Sequence, residues 1–366
     1  MNMLQATGGQ SASAGFTAPT VESAKRRLAF AKSMDAWESG RLSGRQFVQE
    51  AMSTDDFPNV LGDTLNREVQ EAYRTWPKIW EALAAKRRAK DYRTLKSFTP
   101  NSINGRLAKV GEFGANSTTQ NKADRTAVTY SVEDYEGHAS LSHKVFINDD
   151  VDEFSRIPTD FAEAAVHTEG FQFSSTYVNA SGPTGLTQLT SNPVFGVTGL
   201  KAAFTQILKS TDSGTGEPIM IEAPVLVIGP GLAIDAAEVI KATTIEMNTA
   251  AGTRNLFTEN WVKTMIDKVV VDPYIPIIAS SNEDTMWCLI AQPKLGRSAF
   301  EAAFLNGMEQ PRILIKAPTA QRAGGGDPAF MDRSFEGMTV EYLVRHTLAF
   351  AKVNAQYGFM SNGSGS

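Results

Sequence analysis

The sequence has very little cysteine and histidine and no strong excess of charge, and each of these shortages excludes a class of function. Its 366 residues include one cysteine, Cys288, so neither an intramolecular disulfide framework nor a CxxC metal or redox site is possible. The formal net charge of -5 at pH 7 excludes a uniformly basic nucleic-acid coat, so any contact with nucleic acid must be local. No window approaches the roughly 18 consecutive apolar residues that a membrane helix needs, and we expect no membrane contact.

Catalytic and metal-binding motifs are scarce as well. The histidines are scattered along the chain, and no helical pattern places two of them four residues apart beside a carboxylate: His138, His143, His167 and His346. The acidic run at 149–153 lacks the spacing of a calcium loop and suits the start of a helix. The basic cluster at 86–93 reads as a solvated face unless the protein encloses nucleic acid. We therefore expect no enzyme, no catalytic residue, no metal and no cofactor.

One segment does imitate a nucleotide-binding unit. The string VLVIGPGLAIDAAEVI joins a strand pattern, a turn with Gly229 and Gly231, and a helix pattern. Ile234 stands where a third glycine would let the helix pack closely, and no repeating βαβ units surround the segment. A nucleotide-dependent enzyme that uses the Gly229 turn is therefore the least favoured alternative.

The charges are unevenly distributed. Residues 1–96 carry 15 Lys and Arg against 11 Asp and Glu (+4), whereas the other 270 residues carry 20 against 29 (-9). A helical pattern near the start concentrates Lys25, Arg26, Arg27 and Lys32. We expect these residues to contact enclosed DNA or an acidic neighbouring subunit.

The first part of the body combines helices with extended chain. A helix is predicted from about Val60 to Ala89 with an interruption at Pro77, and a long amphipathic helix at about 157–180 with Pro158 in its first turn. Between them, strands near 106–113 and 127–132 predict a long hairpin with two largely polar faces. Because such a hairpin cannot be a buried layer, we expect it to lie on another subunit, with Lys109, Phe113 and Lys122 as inter-subunit contacts.

Residues 195–330 predict a mixed α/β domain. Helices are expected at 199–209 and 232–242, and strands at 224–228, 268–271, 285–291 and 312–316. The strings MTVEYLVRH and TLAFAKVNAQYGF alternate like two strands that pair with earlier parts of the chain, and SNGSGS reads as a disordered end.

Four strings carry a resemblance to a known family: STDDFPNVLGDTLNREVQEAY, LSHKVFINDDVDEFSRIPTDFAEAA, FLNGMEQPRI and VEYLVRHTLAFA. Together they resemble the major capsid proteins of tailed bacteriophages, in particular the group that includes the Mu-like head subunits, over about residues 53–359. The resemblance implies an α+β chain with the Hong Kong 97-type phage capsid fold. The implied parts are an N-terminal arm, an extended loop hairpin, a long spine helix, a peripheral domain and an axial domain.

The resemblance also implies boundaries for these parts. They are 1–60 for the arm, 61–96 for a helix leading into the peripheral domain, 97–132 for the loop hairpin, 133–194 for the peripheral domain with the spine helix, 195–330 for the axial domain, and 331–366 for C-terminal peripheral strands and a tail.

The implied function is a major head protein that self-assembles into pentamers and hexamers of an icosahedral shell around phage double-stranded DNA. Portal, scaffolding and decoration proteins are possible further partners, and the implied location is the virion, after assembly in the cytoplasm of a bacterial host. An encapsulin-like protein compartment on the same fold is the alternative. It would contain protein cargo rather than DNA.

Overall fold

The structure is a computed structural model that describes residues 57–98, 127–142, 151–212, 216–219, 221, 224–248, 254–257, 259–293, 298–316 and 339–365. The chain divides into two compact units. The first comprises Met1–Asn66, Ala139–Ile157 and Leu314–Tyr342, and the second comprises Arg67–His138, Pro158–Ile313 and Leu343–Ser366. Within the first unit, Lys316 pairs with Glu341 through both a backbone hydrogen bond of 3.0 Å and an ion pair of 2.9 Å. Most of the buried side chains described below belong to the second unit.

The described helices and strands form a mixed α and β architecture. The helices are α1 (Phe57–Thr75), α2 (Val151–Ser174), α3 (Val197–Leu208), α4 (Ala233–Lys241), α5 (Trp261–Met265) and α6 (Ile275–Ile278). The strands are β1 (Ala84–Ala89), β2 (Leu95–Phe98), β3 (Ala127–Tyr130), β4 (Glu133–Ser142), β5 (Val178–Asn179), β6 (Gly182–Pro183), β7 (Thr187–Gln188), β8 (Val225–Ile228), β9 (Ile245–Asn248), β10 (Arg254–Phe257), β11 (Val269–Val271), β12 (Trp287–Ile290), β13 (Phe300–Leu305), β14 (Arg312–Ile315), β15 (Thr339–Lys352) and β16 (Gly358–Ser361).

One sheet has the strand order β11-β8-β12-β16-β7. Strand β8 runs parallel to β11 and antiparallel to β12, and every residue of β8 and β12 is buried. Strands buried on both faces read as continuous apolar runs, as VLVI and WCLI do. Apolar side chains of α3, α4 and α5 cover one face of this sheet, where Phe204 of α3 and Trp287 of β12 belong to the same buried cluster.

A second sheet has the order β1-β13-β15-β14, with β4 also paired to β15. Strand β1 lies parallel to β13, although its sequence AAKRRA was predicted as the end of a long helix. That prediction is wrong beyond Thr75, because Pro77 ends the helix and the chain continues through a 3₁₀ turn at Ile79–Ala82 into β1. Only Ala84 and Ala89 of β1 are buried, so apolar alternation could not reveal this strand.

The long amphipathic helix was predicted correctly, but its ends lie about six residues earlier in the sequence than predicted. Helix α2 begins at Val151 rather than 157 and ends at Ser174, so Pro158 lies inside the helix rather than in its first turn. The spacing had predicted one apolar face, formed by Phe161, Ala164, Ala165, Thr168, Phe171, Ser175 and Val178. Phe161, Ala165 and Val178 are buried as expected, whereas Ala164, Phe171 and Ser175 are exposed. Glu169 and Phe173, which were not assigned to that face, are buried as well. A buried glutamate on the inner face is the unexpected feature.

The elements predicted within 195–330 are confirmed to within one or two residues, including α3, α4, β8, β11, β12 and β14. Strand β13 was not predicted. The two predicted C-terminal strands are one strand, β15, followed by a 3₁₀ turn and β16. The end of the chain is also ordered where the structure describes it, because Gly365 donates to Asn192 at 2.8 Å and the Thr285 hydroxyl donates to Asn362 at 2.7 Å.

Candidate functional site

Strands β2 and β3 form the base of the predicted loop hairpin. They pair antiparallel, with Leu95 opposite Tyr130 and Phe98 opposite Ala127, so the chain leaves this base at Phe98 and returns to it at Ala127. The sequence pattern had predicted that 127–132 pairs with 106–113. Residues 106–113 lie outside the described part of the chain, as do the predicted contacts Lys109, Phe113 and Lys122.

The carboxylate of Glu301 on β13 binds this base. Its Oε2 accepts hydrogen bonds from the Tyr130 hydroxyl at 2.6 Å and from Nη1 of Arg87 at 3.1 Å. Its Oε1 accepts from the Ser97 hydroxyl at 2.8 Å. One side chain therefore connects β13 to β1, β2 and β3, and the three donor residues lie 171, 204 and 214 residues earlier in the sequence.

The side chain of Glu301 is partly buried, with 19% of its surface exposed. Burial raises the pKa of Tyr130, and the hydrogen bond to Glu301 and its negative charge raise that pKa further. Hydrogen bonds to a charged acceptor are stronger than neutral ones, and partial removal of water strengthens them again. Ser97 is itself buried, so its hydroxyl depends on this carboxylate for a partner.

A small apolar cluster lies beside the same base. Ala89, Val132, Ala303 and Leu305 are buried together, and the side chains of Leu95 and Tyr130 pack against them. The alternation in the sequence predicts residues 128, 130 and 132 on one face and 127, 129 and 131 on the other, and the first set is the more buried. The base is thus held by both polar and apolar contacts to the β1-β13-β15 sheet.

The basic cluster on β1 is exposed and paired with acidic residues. Lys86 and Arg88 both reach Glu309, at 3.5 Å and 2.5 Å, and Arg87 reaches Glu301. Arg88 remains 68% exposed in its side chain, so this pairing contributes little to stability. These contacts agree with the expected solvated face.

A buried carboxylate, Glu169, holds four elements of the second unit together. Its Oε2 accepts from the indole N–H of Trp80 at 2.7 Å. Its Oε1 accepts from the hydroxyl of Tyr73 and lies 2.7 Å from Nε2 of His346. Burial raises the pKa of Tyr73, and so do the charge of Glu169 and the hydrogen bond to it. A buried charge is tolerated only with such partners, and here α1, the 3₁₀ turn and β15 supply them to α2.

His346 is therefore not one of several scattered polar positions. It is buried, it stacks on Phe304 with ring centroids 5.8 Å apart, and its Nδ1 has no hydrogen-bond partner in the described structure. Among the other histidines, His138 and His167 are exposed, and His143 lies outside the described residues.

A second buried carboxylate, Asp272, lies at the end of β11. The Ser174 hydroxyl donates to it at 2.5 Å, the Tyr177 hydroxyl donates to it, and the backbone N–H of Tyr274 donates at 2.8 Å. Burial raises the pKa of Asp272, although these three hydrogen bonds lower it in part. Cys288 is buried nearby, and burial together with the charge of Asp272 raises the pKa of its thiol to about 12. A thiol in this state is an inert core residue rather than a nucleophile.

The space beside the Gly229 turn is occupied by the chain segment that contains Glu283 and Asp284. A Cβ atom on Gly229 would lie 2.8 Å from the backbone oxygen of Glu283, and one on Gly231 would lie 2.5 Å from Oδ1 of Asp284. These glycines permit close approach of the 282–285 segment, and the carboxylate of Asp284 would repel a phosphate placed there. The mixed pairing of β8 also differs from the parallel sheet of a dinucleotide-binding fold.

A pocket of about 360 Å³ opens beside the end of α1. It is lined by Trp76, Trp80, Val271 and Tyr274 among others, and His167 at its rim lies 2.7 Å from the Tyr274 hydroxyl. In the part of the chain that the structure describes, no three His, Cys, Asp or Glu residues are grouped as a metal site. None of the helices searched is long and apolar enough to cross a membrane.

Residues 125–359 match the model of a family described as phage capsid protein. This is a class of structural, shell-forming proteins. The match covers well over half of the 366 residues, and the chain belongs to the phage capsid protein family. It is a capsid protein that associates with itself in a virion shell. Among curated protein sequences, none matches this chain.

Several solved structures resemble the chain at low identity. They include a virus-like particle from Pyrococcus furiosus, with 9% identity and a TM-score of 0.42 over 82% of this chain and 98% of that one. The capsid of an empty GTA particle has 11% identity and a TM-score of 0.43, covering 76% and 87%. The holo-SrpI encapsulin complex from Synechococcus elongatus PCC 7942 has 10% identity and a TM-score of 0.42, covering 80% and 90%.

The sequence-predicted site residues are all in segments outside the described ones. This holds for the basic residues Lys25, Arg26, Arg27 and Lys32 and for the loop residues Lys109, Phe113 and Lys122. The residues that the structure brings together are instead Glu301 with its partners and Glu169 with its partners. Neither glutamate stands in a sequence motif, because each partner set is contributed by residues far away along the chain.

Proposed function

We propose that this capsid protein is the major head protein of a tailed phage with the Hong Kong 97-type plan. In this proposal it self-assembles into pentamers and hexamers, which close an icosahedral shell around double-stranded DNA. The observation that carries the proposal is the family match over 125–359. The described architecture, a long helix and two sheets with a hairpin base at the edge of one, is compatible with that plan.

The proposed parts are an arm at 1–60, a helix and strand region at 61–96, the loop hairpin at 97–132, a peripheral domain at 133–194, an axial domain at 195–330 and a C-terminal segment at 331–366. Helix α2 is the proposed spine helix. The described strands connect these parts, because β13 from the axial segment pairs with β1 and β15, and β16 from the C-terminal segment pairs with β12.

The proposed loop hairpin would contact a neighbouring subunit through Lys109, Phe113 and Lys122. Support comes from its base, where β2 and β3, the described strands on either side of 99–126, are held against the β1-β13-β15 sheet. Exposed aliphatic side chains elsewhere in the second unit, Leu208, Ile234 and Ile277, offer further surface for contact between copies.

The basic residues Lys25, Arg26, Arg27 and Lys32 are proposed to contact packaged DNA or an acidic neighbour. The +4 excess of residues 1–96 against the -9 of the remainder supports either partner. Both contacts would weaken as salt is raised. Portal, scaffolding and decoration proteins are proposed as additional partners, with assembly in the cytoplasm of the bacterial host.

The test is electron microscopy of particles purified from the bacterium that produces them, together with the ratio of nucleic-acid to protein absorbance after nuclease treatment. Closed icosahedral particles with protected double-stranded DNA are expected. Closed particles that hold protein cargo and no nucleic acid would favour an encapsulin-like compartment. An absence of closed particles would contradict both functions.

A further inference from the structure

Glu301 is the one described carboxylate that contacts both strands of the β2-β3 base and a cation on the adjacent sheet. We propose that Glu301 is a positioning residue for shell assembly: it locks the base of the 99–126 segment against the β1-β13-β15 sheet. This inference rests on the proposed function, in which that segment contacts a neighbouring subunit.

The β2-β3 base needs contacts to the neighbouring sheet because it is small. Strands β2 and β3 pair over four residues each, and a two-stranded sheet of this size is not stable by itself in water. Its apolar support consists of Leu95 and Tyr130 on a cluster of small and aliphatic side chains. Apolar contact is not directional, so it permits small rotations and shifts of the base.

The three hydrogen bonds of Glu301 are directional, and they therefore restrict the rotations and shifts that apolar contact permits. Tyr130 is on β3 and Ser97 is on β2, and each donates its hydroxyl to a different oxygen of the same carboxylate. Arg87 donates Nη1 to that carboxylate and Nη2 to the backbone oxygen of Lys96 at 3.0 Å, so it also binds β2 directly. A planar carboxylate with donors on both oxygens fixes the positions of both strands relative to β13.

Substitutions at Glu301 can separate the effect of its hydrogen-bond geometry from the effect of its negative charge. In Glu301→Gln, the amide oxygen can accept from Tyr130 and Arg87, while the amide nitrogen donates to the Ser97 hydroxyl, which is able to accept. In Glu301→Ala, all three donors lose their acceptor. The matched control is Glu309→Ala, which removes ion pairs to Lys86 and Arg88 on the same strand β1 and does not touch β2 or β3.

The experiment measures two quantities in the full-length protein: amide hydrogen exchange at 95–98 and 127–130, and the fraction of chains that sediment as particles. For Glu301→Ala we expect exchange at the base to rise about tenfold, as local opening becomes easier, while 300–305 and 348–352 keep their protection. The particle fraction should fall by about fivefold or more, in line with the loss of more than one hydrogen bond. Glu301→Gln should restore both quantities to near wild-type values, and Glu309→Ala should leave both unchanged.

A second variant covers the possibility that Glu301→Ala fails to fold. The double variant Tyr130→Phe, Ser97→Ala removes the two hairpin contacts and keeps the Glu301–Arg87 pair, and it should reproduce the exchange and assembly defects. The inference is overturned if these variants match Glu309→Ala in both measurements, or if Glu301→Gln is as defective as Glu301→Ala. If the wild-type protein forms no particles, the proposed function fails instead, and the exchange data still test the lock.

Discussion

The indole N–H of Trp80 donates to Oε2 of Glu169 at a distance of 2.7 Å, and both side chains are buried. Trp80 lies in the 3₁₀ turn that follows α1, whereas Glu169 lies in α2, 89 residues later. This hydrogen bond joins the long helix to the segment that leads into β1. The polar centre of the second unit is therefore a structural connection between α2 and the segment before β1.

Glu169→Gln should destabilise the protein. The amide nitrogen must face either Trp80 or the pair Tyr73 and His346, so at least one buried donor loses its acceptor. We expect the free energy of unfolding to fall by about 1–3 kcal/mol. Urea unfolding of the full-length protein, followed by tryptophan fluorescence, measures it. Glu163→Gln on the exposed side of the same helix should change stability by less than about 0.5 kcal/mol. Equal effects of the two substitutions would contradict this role of Glu169.

The contribution of Asp272 to the stability of the fold should depend on pH, and its raised pKa fixes the direction. Its pKa in the folded state is raised above the usual value of 3.8, so the folded state binds this proton more tightly than the unfolded state does. The stability that Asp272 contributes is fully present below pH 3.8 and is lost as pH rises through the folded pKa. Wild type should therefore lose stability relative to Asp272→Asn across this window.

Urea unfolding at several pH values from about 3.5 to about 7 measures this difference. The exposed Asp267→Asn variant is the control and should follow the wild-type curve. A difference between wild type and Asp272→Asn that grows in the opposite direction, with wild type gaining relative stability as pH rises, would show that the hydrogen bonds from Ser174 and Tyr177 outweigh burial.

Gly231→Ala tests the role of the glycine turn. Its added methyl group would meet Asp284, so we expect a loss of about 1–3 kcal/mol from overpacking. In an Asp284→Gly background the loss should be smaller, and a double-mutant cycle measures this coupling. The same turn should not bind a nucleotide, so nicotinamide dinucleotides should leave the melting temperature of wild type unchanged. Stabilisation by the dinucleotide that Gly231→Ala abolishes would instead support a nucleotide site.

The shell should be held without covalent cross-links. A lysine–asparagine link would need a neutral lysine beside an accessible asparagine and a carboxylate. The sequence offers Lys109 and Lys122 in the loop hairpin, and Asn354 and Glu341 near the C-terminus. Asn354 is buried, and its side chain accepts from the backbone N–H of Gln356 at 2.9 Å, whereas Glu341 pairs with Lys316. Boiled particles should run on a denaturing gel as one band near 39.7 kDa. A ladder of multiples would refute this expectation.

Sequence patterns predicted the second unit best where burial follows a simple period. Strand β8 and helix α3 were located within two residues because a continuous apolar run and a 3.6-residue period are strong signals. Strand β1 was missed because its middle residues are charged and paired with glutamates across the surface. Strand β13 carries Glu301 among apolar residues, and nothing local in FEAAFL indicates that it binds a hairpin.

The two glutamate centres could not be predicted for a related reason. Glu301 contacts Tyr130 and Arg87 across 171 and 214 residues of sequence, and Glu169 contacts His346 across 177. Glutamate is rarely buried without a partner, so the apolar spacing of α2 did not indicate that Glu169 lies on the inner face. Only the tertiary structure shows that donors from three other elements surround Glu169.

Sedimentation velocity of the purified full-length protein tests the central claim most directly. A shell-forming capsid protein should sediment as large closed particles, with the material at the particle boundary containing this chain in many copies. Dissociated subunits should be a minor species. A compact species near the 39.7 kDa monomer under all conditions that keep the protein folded, with no particle boundary, would contradict the account.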